Sequence, residues 1–368
     1  MKILHITSWY PENNKEGIFV EEHINALSLY SLNEVWVVNC STGKRRIKLS
    51  LSSKVKIFKI SIPSKVWLLV EFISFLQLMI LGILNFRKLR QVDVINFHIA
   101  YPNLTYYRFL TWLFPRNKIC ITEHWSAYHF NFGVSKELNR IKKIFNHNIP
   151  LITVSKALSD DIKLFSKCSQ HIEVIPNVVN DSFCKLNIDT NKKVLFMLGH
   201  WNYPKDPMTI LKGFHTYVKS DAKAHLKIGG NGGLLEDIEN YVIENELTRN
   251  VTFLGFLNTK EVVEEMQKAD GFIHCSDYET FSVVCAEAIS CGTPVIASRV
   301  GGIPEFIDES NGVLLEVNSS EEIACKIQCH FNKKYDRQEI AKRAKSKFSP
   351  KQVGGQYYIF LRSLIDVK

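Results

Sequence analysis

No Cys-x-x-Cys pair joins any of the nine cysteines of this 368-residue chain. Cys325 and Cys329 are spaced as neighbours on a helix, but no companion ligands complete a zinc site. The thiols are therefore expected to be free, as in a reducing compartment. Gly-x-Gly-x-x-Gly and Gly-x4-Gly-Lys-[Ser/Thr] are both absent, which removes the dinucleotide fingerprint and the phosphate loop of nucleotide hydrolases. No Asp-x-Asp is present to hold a divalent ion. No nucleic-acid-reading motif accompanies the net charge of +9. Nucleic acid is therefore not an expected partner, and the basic excess suits nucleotides or anionic lipid headgroups. The opening KILHIT lacks the long apolar run and small-residue cleavage site of a secretory signal and reads as a first strand.

Long clean apolar runs are missing too. The most membrane-like stretch, Val66–Phe86, is interrupted by Glu71 and Gln77 and flanked by Lys65, Arg87, Lys88 and Arg90. A span needs about 20 clean apolar residues. Three readings stay open here: a buried helix, a helix lying on a membrane surface, and a true span.

What is present is globular: 46% hydrophobic and 23% charged residues, with 18 Gly and 11 Pro. The length exceeds one ordinary core, so two domains are expected. Short apolar runs alternate with helical patterns throughout. In the first half the strands are 2–7, 34–39, 55–60, 92–98, 118–124, 149–155 and 171–177. In the second they are 193–199, 224–232, 250–256, 271–276 and 294–298. This alternation predicts α/β architecture: two doubly wound, Rossmann-like parallel-sheet domains facing across a cleft. The expected division is 1–182, 183–348 and a last helical segment 349–368, with a polar linker near Asn180–Lys193. Ligands of such sheets sit beyond the carboxyl ends of strands, so functional residues are sought in the loops that follow them.

The stretch DYETFSVVCAEAISCGTPV, Asp277 to Val295, is such a loop running into a helix. A helix start near Phe281 or Ser282 offers unpaired N–H groups to an anion. Glu279, beside it, suits neutral hydroxyls such as those of a sugar. Glu287, about five residues into the helix, needs a partner if it faces inward, and a ribose diol would serve. Lys205, in the loop after the domain's first strand, can neutralise a diphosphate. The glycines of IGGNGG (228–233) and VGGIPEF (300–306) permit close backbone approach. Glu305 reads as a helix-start cap and Ser155 as an N-cap. In the first half, Gly17 precedes a helix and would let a substrate approach its N-terminus. His124 ends a strand and is placed to bond a ligand hydroxyl, and His98 is a similar, weaker candidate. Each of these residues also has a plain scaffold reading.

Taken together, these motifs resemble the family 4 glycosyltransferases of the GT-B fold. The resemblance runs over almost the whole chain. It rests chiefly on Glu279 and Glu287 as a Glu-x7-Glu pair, with GGIPE (301–305), the loop at Gly17, TEH ending at His124, VIPNVV (174–179) and the tail 348–364. It implies retaining transfer of a sugar from a nucleoside diphosphate, without a metal or other cofactor. Glu287 would hold the ribose and Glu279 the donor sugar. Lys205, with Thr280 and the backbone of Phe281, Ser282 and Val283, would hold the diphosphate. Gly17 would let phosphates and acceptor meet, and His124 would contact the transferred sugar. Glu279 is not expected to act as a nucleophile; the departing phosphate would take the acceptor's proton.

Two positions depart from the family pattern. His200 stands where an arginine is common, so one phosphate contact is missing or made differently. Val178 stands where a glycine is common and is expected to be structural. The apolar helix and its basic flank suggest a polyprenyl-diphosphate-linked oligosaccharide acceptor in surface polysaccharide assembly. The expected place is the cytoplasmic side, attached peripherally to an anionic membrane. UDP is expected over GDP. The alternatives are an epimerase or phosphorylase on the same fold, and a catalytically silent subunit that binds nucleotide sugar.

Overall fold

The computed structural model describes residues 1–11, 17–44, 46–51, 55–64, 69–114, 118–133, 138–186 and 192–366. Positions 65–68 of the apolar stretch and 187–191 of the expected linker lie outside them. The chain divides into two compact units, Met1–Val178 with Pro350–Lys368, and Val179–Ser349.

The first unit runs β1 (Lys2–Thr7), α1 (Ile18–Leu27), β2 (Leu32–Thr42), β3 (Arg46–Leu51), β4 (Val55–Ile62), α2 (Val70–Leu84) and α3 (Phe86–Leu89). It continues with β5 (Val94–His98), α4 (Tyr107–Leu113), β6 (Lys118–Glu123), α5 (Leu138–Phe145), β7 (Leu151–Thr153), α6 (Lys156–Ser166) and β8 (Ile172–Val174). The strands form one sheet in the order β3-β4-β2-β1-β5-β6-β7-β8. All pairs are parallel except β3–β4, which is antiparallel. The expected parallel sheet is thus extended at this edge by one antiparallel strand that the sequence reading does not include. The six residues of β3 are all exposed, and the strand lies at the edge of the sheet, paired with β4 alone. The central strands β5 and β6 are buried almost throughout, as strands covered on both faces must be.

The second unit runs β9 (Val194–His200), α7 (Pro207–Val218), β10 (His225–Asn231), α8 (Leu235–Glu244), β11 (Val251–Gly255), α9 (Thr259–Lys268) and β12 (Gly271–His274). Then come α10 (Val283–Ser290), β13 (Val295–Ser298), β14 (Gly312–Leu315), α11 (Ser320–Asn332) and α12 (Arg337–Phe348). Its sheet, in the order β11-β10-β9-β12-β13-β14, is the 3-2-1-4-5-6 arrangement of dinucleotide-binding folds, with the direction of winding reversing between β9 and β12. Helix starts are well specified. Asn258 and Glu261 form a reciprocal capping box on α9, and Ser155 accepts from Leu158 N at the start of α6. Glu305 does not cap a helix start. It ends a single 3₁₀ turn whose N-cap is Gly302 and which has no side-chain cap bond.

The last helix, α13 (Pro350–Asp366), belongs to the first unit and packs on α1. A Cβ on Gly354 would lie 2.4 Å from the Ala26 carbonyl oxygen, so the two helices approach as closely as backbone allows. Val178 is buried in the same cluster as Val353, Tyr357 and Leu361, which gives it the structural role expected.

The apolar stretch forms a two-faced helix whose inner face buries Leu78 and Leu81 along with polar residues. In α2 the polar residues Glu71, Ser74 and Gln77 are buried. Gln77 donates to the carbonyls of Phe58 at 2.6 Å and Asn39 at 3.1 Å, and Arg140 pairs with Glu71 at 2.8 Å. Phe72, Leu76, Ile80 and Ile83, spaced four, four and three apart, point outward and are exposed. Among the described residues no helix is long and apolar enough to cross a membrane.

Candidate functional site

The winding reversal of the second unit brings together two loops that the sequence separates by some seventy residues. The loop after β9 is stitched to the loop after β12. Lys205 and Ser276 form an isolated antiparallel bridge, Asp206 N donates to the Cys275 carbonyl at 3.0 Å, and Asp277 N donates to the Pro204 carbonyl at 2.9 Å. Ser276 Oγ adds bonds to the carbonyls of Pro204 and Tyr278. Asp206 then caps α7 through Thr209 N. The Lys205 ammonium is thereby held against the Glu279 carboxylate, with which it pairs.

A third residue, which no sequence pattern singles out, completes this group. His274, buried at the end of β12, contacts the same Glu279 Oε1 through Nε2 at 2.9 Å. Burial holds His274 well below the ordinary histidine range, so the ring is neutral and Nε2–H donates. Burial also lowers the Lys205 ammonium to about 8. Glu279 is fixed by its backbone as well. Gly302 N donates to its carbonyl at 2.9 Å, and a Cβ on Gly301, at φ 50°, would fall 1.7 Å from that oxygen. The first glycine of GGIPE is thus required by its packing on Glu279.

Helix α10 begins at Val283, one residue after the later of the two expected starts. Ser282 is its N-cap, in the left-handed region at φ 70°, and makes no side-chain cap bond. The first amides of the helix are therefore not capped by that side chain. Phe281 is buried against Phe306 and Phe348, which anchors the turn. Thr280 and Val283 are half-buried, as is Glu287, the fifth residue of α10.

His200 ends β9 and is exposed, with both ring nitrogens engaged within the unit. Asn202 Oδ1 accepts from Gly233 N at 2.8 Å, so its Nδ2 faces His200 Nε2, also at 2.8 Å. His200 Nδ1 consequently donates to Asn231 Oδ1 at 3.2 Å. The single hydrogen bond a neutral histidine has to give is already made to Asn231.

In the first unit Gly17 is the N-cap of α1 at φ 78°. A Cβ there would lie 2.6 Å from the Trp9 carbonyl carbon; the close approach that demands glycine is to the chain's own backbone. His124 follows β6 and is 7% exposed. The neighbouring Glu123 anchors the turn, accepting from Tyr128 OH at 2.6 Å and Ala100 N at 2.7 Å, and burial raises its carboxyl to about 7. His124 packs on Phe19 of α1, with ring centroids 4.8 Å apart. It also joins a buried set that the sequence did not announce. His5, His23, His98 and His124 lie together, and burial pushes all four below the ordinary histidine range. Nitrogens of His23, His98 and His124 lie within 4.8 Å of one another. All nine cysteines are free thiols.

Residues 179–347 match the family described as glycosyl transferases group 1. An uncharacterized glycosyltransferase of Methanocaldococcus jannaschii is 29% identical over 189 residues, which are 47% of this chain and 48% of that protein. A second from the same organism is 28% identical over 265 residues, 71% of each chain. The chain thus spans about half the length of the first of these relatives. The Anabaena protein HepE, solved in complex with UDP, superposes with a TM-score of 0.76 at 19% identity, covering 99% of this chain and all of HepE. The chain has the GT-B fold, and its second unit is related to the group 1 glycosyl transferases.

Proposed function

We propose that this chain is a retaining glycosyltransferase that moves a sugar from a nucleoside diphosphate donor, UDP in preference to GDP, onto a lipid-linked saccharide. The observation that carries this reading is the Lys205–Glu279–His274 group at the winding reversal of the second sheet, beside the start of α10. When the donor bond breaks, negative charge collects on the outer phosphate. Lys205 and the first amides of α10 stabilise it as it forms. Neutral His274 and cationic Lys205 orient the Glu279 carboxylate, leaving its remaining lone pairs for sugar hydroxyls. Glu287 holds the ribose diol. No protein nucleophile is required: the acceptor hydroxyl attacks the anomeric carbon on the face the phosphate leaves, and that phosphate takes the hydroxyl proton. Gly17 and His124 of the first unit serve the acceptor and the transferred sugar.

The lipid-linked acceptor is supported by the outward face of α2. Phe72, Leu76, Ile80 and Ile83 continue into the exposed Phe109 and Trp112 of α4, which lies alongside through the Phe75–Phe109 and Phe72–Tyr106 ring contacts. Trp112 is 77% exposed. Arg87, Lys88, Arg90 and Arg108 are exposed around this face. An apolar patch with a basic border suits an anionic bilayer surface. A polyprenyl-diphosphate oligosaccharide presented there fits the acceptor role, at the cytoplasmic face of the membrane.

Calorimetric titration with UDP, GDP and their sugar conjugates tests the reading. The expected result is preferential binding of UDP that Glu287→Ala abolishes. Absence of binding to every nucleotide by folded protein would sink it.

A further inference from the structure

The start of α10 lies beside Lys205 and Glu279, and its last residue, Ser290, borders a cavity of about 220 Å³. Eight helical residues put about 12 Å between the two ends, so the cavity is separate from the Lys205–Glu279–His274 group. Its walls belong to the second unit alone: the segment from Val179 to Lys185, the end of α10, and one face of α12 with Ser349 behind it.

The walls are cationic. Lys342 and Lys345 stand three residues apart on one face of α12, Lys185 joins them from the Val179 segment, and Asp181 is the one acid in the lining. Helix α12 carries Arg337, Lys342, Arg343, Lys345 and Lys347 against Glu339 alone. Three of these cations are engaged elsewhere. Arg337 donates to the Ala269 and Gln267 carbonyls, Lys347 donates to the Glu305 carbonyl, and Arg343 pairs with Asp308 at 2.8 Å. The two in the cavity wall are not. Lys342 meets Glu339 at 3.5 Å, an exposed pair worth little. Lys345 is in no ion pair among the described residues.

Helix ends do not account for these ammoniums. The last carbonyls of α10 are already bonded within the chain: Glu287 to Cys291 N, Ala288 to Thr293 N, and Ile289 to Gly292 N. The Lys345 carbonyl is likewise taken by Ser349 N at 3.2 Å. The Lys185 stem runs against the turn at Gly292, where a Cβ would lie 3.1 Å from its Cδ, so this side chain is packed at the cavity rather than trailing in solvent. Like charges gathered round one hollow repel, and an anion among them removes that cost.

We propose that this cavity binds a small phosphate ester of a polyol. Lys185, Lys342 and Lys345 hold the phosphoryl oxygens, and Asp181 accepts from a ligand hydroxyl. The acid in the wall favours a hydroxylated ester over bare phosphate. The volume falls short of the roughly 300 Å³ at which pockets for larger ligands begin, which excludes a nucleotide sugar. A soluble ester and the glycerophosphate headgroup of a lipid share this chemistry.

Cys184 lines the cavity and is an exposed thiol, so it reports on occupancy. The full-length protein is alkylated with iodoacetamide in its folded state, and modification of each cysteine is followed by mass spectrometry. Exposed Cys325 and Cys329 of α11 are internal controls. The expected result is saturable protection of Cys184 by sn-glycerol 3-phosphate, at lower concentration than inorganic phosphate needs, with the two controls unaffected. Lys342→Gln combined with Lys345→Gln should raise the half-protecting concentration about 10- to 100-fold, with circular dichroism unchanged. Asp181→Asn should abolish the preference for the ester over phosphate; a preference that survives overturns the hydroxyl contact. Vesicles of phosphatidylglycerol in phosphatidylcholine separate the two sources. Protection by vesicles but not by the soluble ester, lost in the double lysine variant, assigns the cavity to a lipid headgroup. Protection by neither, equal protection of all three cysteines, or protection indifferent to the lysine substitutions overturns the proposal. No nucleotide enters the experiment, so its outcome is independent of the proposed transferase activity.

Discussion

The two sheets use their winding reversals differently. In the second unit the reversal between β9 and β12 gathers charge: an ammonium, a carboxylate and one neutral histidine that steers the carboxylate. In the first unit the corresponding reversal, between β1 and β5, gathers neutral imidazoles, with His5 on β1 and His98 ending β5. Burial does opposite service in the two places. It makes the Lys205 charge strong and easily lost, and it keeps the histidines from charging at all. Under the proposed function, the first environment suits a charge that grows during reaction and the second suits neutral hydroxyls.

Removing the charged half should cost most. Lys205→Ala is expected to lower kcat/KM about 100- to 1000-fold, the scale for deleting one preorganised donor to a developing anion, with circular dichroism unchanged. A fall of less than tenfold would leave the second unit's charge without the role given to it. The membrane face comes next. Phe72→Ser with Trp112→Ser should weaken sedimentation with phosphatidylglycerol vesicles about ten- to hundredfold, the burial of two large apolar side chains being at stake, and leave UDP affinity unaltered.

Smaller effects separate scaffold from chemistry. Gly17→Ala should cost about 1–3 kcal/mol of stability by denaturant unfolding, because φ 78° is strained for a side chain and the Trp9 backbone blocks it. The pH response is the finest probe of the contrast. Lys205 has its pKa lowered to about 8, so the cation is present below that value and lost above it. UDP affinity should therefore be level near neutrality and decline as pH rises through about 8. Lys205→Arg should remove the inflection, since guanidinium stays charged. A native profile level through that range would mean the ammonium is not what binds the diphosphate.

Sequence patterns and spatial contacts supplied different parts of this picture. Most strands of both sheets were legible, because parallel strands buried on both faces are unbroken apolar runs. β3 was missed although its RIKLSL alternates polar and apolar residues. Glu279, Lys205 and the start of α10 were legible because loops after strands are where such folds bind ligands. His274 was not, because a histidine ending an apolar strand looks the same whether it meets a carboxylate or a carbonyl. Glu71 and Gln77 were read as breaks in an apolar run. Only the structure shows that Gln77 ties α2 to the sheet through the carbonyls of Asn39 and Phe58, while Glu71 pairs with Arg140 of α5.

The order of residues along the chain was enough for the α/β alternation, the glycine positions and the loops that bear charge, since each depends on neighbours a few residues apart. The partner of each charge, the outward turn of α2 and the gathering of His5, His23, His98 and His124 were decided by tertiary contacts. Asn33 lies 28 residues from His5, and His5 lies 93 from His98. Which polar atom stands about 3 Å from a buried imidazole is a property of packed strands rather than of spacing in sequence.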